Sequence, residues 1–253
     1  MRPLQYCLSR ITNVGLILMM GVSMSAYSDS WKEEALLHDG SKVIVSRTQD
    51  FGGRHELGQS PPIKEQTISF VLPNTRKQIT FKNNYGEDIG RANFMLLALH
   101  ILNGTPYLVT APNLCLSYNK WGRPNPPYVL FKHNASTWQR ISLEELPAEF
   151  KDINLVINTK SHAKTIVSQS PVSAELVRKL NGSLTQPELK IILREPLERV
   201  QERCGEMVYD GKGGWEGIGW FKRQPSLEAC LTYCKQSGIA QAYCPCSKVF
   251  NGK

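Results

Sequence analysis

Five of the seven cysteines in this 253-residue chain fall between Cys204 and Cys246, around Cys230-Leu-Thr-Tyr-Cys234 and Cys244-Pro-Cys246. A short stretch this poor in apolar residues buries too little surface to hold itself by a core alone. Cross-links must hold it, which implies the oxidising compartments where disulfides persist. The other end of the chain agrees. Residues 1–28 carry Arg2 and Arg10 with no acidic residue, then the apolar run 14–22, then Ala26 and Ser28, with Ser23 and Ser25 as an alternative small pair. That is the layout of a signal segment cut after Ser28 or Ser25, and the run is shorter than the roughly 20 residues a membrane span needs. A mature chain would then lose Arg2, Arg10 and Cys7, keeping 28 of 30 basic residues against 22 acidic ones and an even six cysteines.

Geometry restricts how those six can pair. Ser226 is placed as an N-cap, and the segment behind it runs without Gly or Pro to Gly238, so a short helix is expected. Cys230 and Cys234 would share one helical face with Cβ atoms about 5–6 Å apart, wider than the roughly 3.8 Å of a disulfide. Pro245 disfavours a ring between Cys244 and Cys246. An antiparallel return beside the helix gives the nested pairs Cys234 to Cys244 and Cys230 to Cys246. Elimination leaves Cys115 with Cys204, a tether from the module to the preceding domain. This is one of about 15 connectivities. The rival is a four-thiolate zinc site from Cys230, Cys234, Cys244 and Cys246. No cofactor, other metal centre or catalytic motif is read.

Ahead of the cysteines the chain reads as hairpins. Strand-like runs 31–37 and 42–48 flank Asp39-Gly40, 64–72 and 77–81 flank a Pro-Asn turn, 94–102 and 106–110 flank Asn103-Gly104, and 128–132 and 137–141 flank 133–136. Residues 152–158 offer one more strand. The expected fold is mainly β with a small α-containing C-terminal module: an antiparallel β-sandwich-like domain over 29–160, a partly helical connector over 161–200 opened by a helix capped at Ser173, and a disulfide-rich module over 201–253. A partial propeller-like meander is the alternative architecture. The apolar run 94–102 also fits a buried helix, since its periodicity does not decide.

Two loops carry aromatic side chains suited to recognition: 118–128, with Trp121, Arg123 and Tyr128 among prolines, and 210–220, with Trp215 and Trp220. The Gly-Lys of the second lacks phosphate-loop spacing. Basic residues are scattered rather than clustered, which argues against nucleic acid. These features point to an exported, periplasmic or secreted binding protein with a protein partner. An envelope hydrolase assembled from separated residues such as His55 and Glu56 is the competing class.

The start Trp31-Lys-Glu-Glu with Asp39-Gly40, the segment Leu114-Cys-Leu-Ser-Tyr-Asn-Lys-Trp-Gly-Arg-Pro-Asn-Pro-Pro127 and the ending Tyr243-Cys-Pro-Cys246 together resemble a family of exported proteins of Gram-negative bacteria with no assigned enzyme activity. The resemblance implies location, and it suggests company with secreted antibacterial effectors, hence an immunity-type role. The C-x-x-x-C helix around Cys230 and Cys234 is also similar to that of apple-type binding modules, although the Cys-Pro-Cys ending departs from their pattern.

Overall fold

The computed structural model describes residues 27–198 and 200–251, so the expected signal segment lies outside the described residues except for Tyr27 and Ser28. In β1 (Ser28–Leu36), β2 (Lys42–Phe51), β3 (Ile63–Val71) and β4 (Gln78–Asn83) burial alternates along the strand, the mark of a sheet with one covered face. They form an antiparallel sheet in the order β1-β2-β3-β4. A two-residue pair, β5 (Tyr85–Gly86) and β6 (Arg91–Ala92), leads to β7 (Phe94–Leu102) and β8 (Thr105–Pro112). Helix α1 (Leu114–Lys120) intervenes before β9 (Val129–Asn134) and β10 (Thr137–Ile141), and the second sheet runs β10-β9-β8-β7.

The two sheets share one core. Val45, Ile68, Phe70 and Phe81 from the first meet Leu96, Leu99, Leu108 and Phe131 from the second. The architecture is therefore a sandwich. Each such side chain, fully buried, contributes about 1.5–3 kcal/mol. The run 94–102 is a strand rather than a helix, and its missing alternation has a physical cause. Leu96, Leu99 and Ile101 face the sandwich core, while Leu97 and Ala98 face a second cluster with Phe150, Leu189 and Ile192. A register shift between Leu96 and Ala98 serves both faces.

The stretch expected as a connector packs onto this body. Helices α2 (Ala163–Ser168) and α3 (Ala174–Asn181) set Ile166 and Val177 against Trp31 and Val156. Ser173 caps α3, accepting from Leu176 N at 3.2 Å. Val172 extends the edge of β1 through bonds with Lys32 O and Glu34 N, both 2.8 Å. Residues 152–158, expected as a strand, keep an isolated bridge between Asp152 and Ile191 and one main-chain bond to β7, from Leu155 N to Leu97 O at 3.1 Å. Asn154 adds to the pairing with its side chain: its amide accepts from Leu99 N at 2.9 Å and donates to Leu99 O at 2.7 Å, satisfying the outer edge of β7.

The C-terminal module comprises a ribbon, β11 (Met207–Tyr209) with β12 (Trp215–Gly217), then α4 (Ile218–Lys222), α5 (Leu227–Gln236) and α6 (Cys246–Asn251). Ser226 caps α5 through Ala229 N at 3.2 Å. Disulfides join Cys230 to Cys246 and Cys234 to Cys244, and Cys115 to Cys204 ties the module to α1. The connectivity is the nested one. The zinc alternative gives way to covalent pairs, and the sulfur cluster of Cys234, Cys244 and Cys246, within 4.8 Å, is the contact between the two bridges. Among the described residues no helix is long and apolar enough to cross a membrane.

Candidate functional site

Helix α1 builds one side of the site. It ends in a Schellman turn: Gly122 N donates to Asn119 O at 3.2 Å and Arg123 N to Tyr118 O at 2.9 Å, with Gly122 in the left-handed region at φ +87°. That turn throws the Arg123 guanidinium back over the Tyr118 ring, 5.1 Å from its centroid. From there Arg123 donates to Cys204 O at 2.8 Å and to Gly205 O and Asn119 Oδ1, both at 3.1 Å. Asn119 adds a bond to Gly205 O and accepts from Met207 N, both 2.9 Å. Together with the Cys115–Cys204 bridge these contacts fix where the module starts. Arg123 is thus a clamp between the two parts.

The second fastening runs through the ribbon. Asp210 accepts from Lys212 N at 2.6 Å and Gly214 N at 2.9 Å, closing the hairpin loop. Those backbone donors, the Lys212 one first, hold its carboxyl below the usual range. At the start of β12, just past this loop, Trp215 Nε1 donates to Asp88 O at 2.9 Å, across to the turn between β5 and β6. Arg54 supports the same contact through Gly213 O at 3.2 Å and Glu87 O at 3.1 Å.

Between these two fastenings lies a cleft of about 670 Å³. Tyr85, Tyr209, Trp215 and Tyr243 line it, with Lys120, Asp88, Glu206 and Lys248 among the polar residues. Three of these aromatics form a connected group, Tyr209 lying 5.4 Å from Trp215 and 5.0 Å from Tyr243 between ring centroids. Lys120 and Asp88 pair at 2.8 Å. An aromatic wall with a polar rim suits recognition of another molecule.

Of the side chains singled out in the sequence, Arg123 and Trp215 come together at this cleft, although they are far apart in the chain. Three others do not line it. Trp121 packs on the sandwich core, its ring 4.6 Å from Phe94 and its Nε1 bonded to Asn93 Oδ1 at 3.1 Å. Tyr128 is only 5% exposed, and its hydroxyl is held by Glu188 O at 2.9 Å and Ile191 O at 3.0 Å. Its ring therefore offers no surface to a partner, and the exposed loop expected there is corrected to a buried anchor. Trp220 is exposed, with Arg223 stacked 5.1 Å from its ring, outside the cleft. His55 and Glu56 serve their own turn: His55 Nδ1 lies 2.8 Å from Gly53 O, and Glu56 accepts from Gln59. Tyr85, Asp88 and Tyr209 escaped the sequence reading, and Asn119 and Tyr243 entered it only inside longer segments, with no role of their own. The one available signal was Gly122, a helix-stopping glycine two residues beyond Lys120.

Comparison of the chain with family models, curated proteins and solved structures returns no match. The chemistry of the cleft stands on its own geometry.

Proposed function

We propose that this is an exported protein of the bacterial periplasm that binds a protein partner in the cleft between sandwich and module, in the manner of an immunity-type protein facing a secreted effector. The observation that carries the reading is the aromatic cleft, clamped from both sides by Arg123 and Trp215. Three disulfides fit an oxidising address. Cleavage of the leader after Ser25 would leave β1 whole, since Ser28 pairs with Asp50 and Tyr27 O accepts from Phe51 N; cleavage after Ser28 would remove its first residue.

The test is affinity capture from envelope extract with the oxidised mature chain and with Trp215→Ala and Tyr243→Ala. A single protein retained in stoichiometric amount by the parent and released by both folded variants supports the reading. A protein retained equally by all three sinks it, as does recovery of the chain with Met1 still at its N-terminus.

A further inference from the structure

The wall formed by β11 has an edge that its own ribbon does not use. In an antiparallel pair, residues alternate between those whose main-chain groups face the neighbouring strand and those whose groups face away. Ile218 N donates to Glu206 O at 2.9 Å and Asp210 N to Gly214 O at 3.0 Å. With Val208 opposite Glu216, this sets the phase: Glu206, Val208 and Asp210 turn toward β12, while Met207 and Tyr209 turn away. Met207 N–H is met by Asn119 Oδ1 at 2.9 Å. Among the described residues the main-chain N–H and C=O of Tyr209 have no hydrogen-bond partner. All three residues of β11 line the cleft.

An unpaired strand edge is a template for another strand. What could lie there is narrowed by charge. The ionised groups lining the cleft balance, Lys120, Arg123 and Lys248 against Glu87, Asp88 and Glu206, and two of them already pair, Lys120 with Asp88. A neutral cleft gives a polyanion no foothold. It suits an uncharged segment whose own main chain supplies the complementary donor and acceptor, with apolar side chains for Tyr85, Trp215 and Tyr243. We infer that the partner enters as an extended, uncharged segment that lies along β11 as a third strand and exchanges main-chain hydrogen bonds with Tyr209. This rests on the cleft being the partner site. Because β11 is three residues long, one residue of the segment makes that exchange, and the aromatic walls supply the rest of the affinity.

Linear heptapeptides displayed on phage and selected on the oxidised mature chain provide the probe. Selected sequences are then synthesised with single backbone N-methyl groups and titrated. The expected result is a loss of about tenfold when the residue opposite Tyr209 is methylated, the worth of one good hydrogen bond. Methylation of its immediate neighbours, whose N–H groups point the other way, should change affinity by less than about threefold. Trp215→Ala and Tyr243→Ala should each weaken every selected peptide. Peptides that tolerate every N-methyl group yet lose affinity in both variants would overturn strand addition and leave the cleft as the binding site. Failure to select any peptide, or selected peptides indifferent to both variants, would overturn the cleft itself.

Discussion

The sandwich and the stapled module differ in what resists unfolding. In the sandwich Ile68, Leu96, Leu97, Leu99 and Leu108 are all at 1% exposure or less. Among the described residues of the module only Phe221, Cys230 and Cys246 reach 0%, with Ile239 and Cys234 close behind. Cystine sulfur occupies the space that aliphatic groups fill elsewhere. The first region is held by apolar burial in the folded state, the second largely by cross-links that restrict the unfolded one. One chain thus carries two kinds of stability, joined through Cys115–Cys204 and the Arg123 clamp.

The largest test of that contrast removes both inner bridges while keeping the tether. Their sequence separations are 16 and 10 residues, and a loop of about 15 residues corresponds to about 3 kcal/mol in the chain-entropy model. Replacing Cys230, Cys234, Cys244 and Cys246 by Ser should leave too little core to hold the module. Limited proteolysis is then expected to cut within 205–251 and spare the sandwich. Protection of the module in that variant would show that Phe221 and its neighbours suffice. The converse experiment is Leu99→Ala, expected to cost about 2–5 kcal/mol. Hydrogen exchange should show protection falling across β7 and β8 well before it falls in α5; an equal fall in both would mean that the two regions unfold as one.

How much of this was legible follows the same division. Strands joined by tight turns announced themselves through the turn residues, as β1 and β2 did around Asp39-Gly40, and the cysteines narrowed the module because a helix and a proline leave few ways to pair. Legibility failed where a local pattern was overruled by distant neighbours. β7 lost its alternation because both faces are covered, and Asn154 hid a pairing role in what looked like a strand. Proline around Tyr128 suggested a surface loop, whereas its ring is buried in the second core cluster and its hydroxyl is held by residues 60 or more positions later. The cleft was half visible. Its aromatic loops stood out, but Asp88, Asn119 and Tyr85 are ordinary residues until the tether brings the module onto them.

Tyr128 gives a smaller test within the sandwich. Its hydroxyl serves two carbonyls and accepts from Leu193 N at 3.2 Å. Burial, foremost, pushes its pKa up to about 12, so it remains a neutral donor throughout the ordinary range. Tyr128→Phe leaves those buried groups unsatisfied and should cost about 1–3 kcal/mol, read as a lower denaturation midpoint with the module's protection unchanged. An unaltered midpoint would show that this wall of the sandwich holds by apolar contact alone.

The smallest effect expected is one of pH, and it should again fall on one region only. All five histidines, at 38, 55, 100, 133 and 162, precede the module. His100 is fully buried, stacked on Phe150 at 4.6 Å, with Nε2 2.9 Å from Asp152 O. Burial is the main cause that lowers its pKa, with His38 adding to it against the opposing pull of Asp152. His133 shifts the same way, through burial and then Lys77. Between the lowered folded value and the unfolded value of about 6.5, the unfolded chain takes up a proton that the folded chain refuses. Stability is therefore complete above the unfolded pKa and declines as pH falls through that window. Acidification from about pH 7.5 to 5.5 should lower the melting temperature of the sandwich, and His100→Phe should reduce the slope, since Phe does not titrate. Disulfides do not titrate either, so exchange protection in α5 should stay level over the same range. A loss of protection in α5 that tracks the sandwich would show that acid acts on the joint between the two regions rather than on the buried histidine.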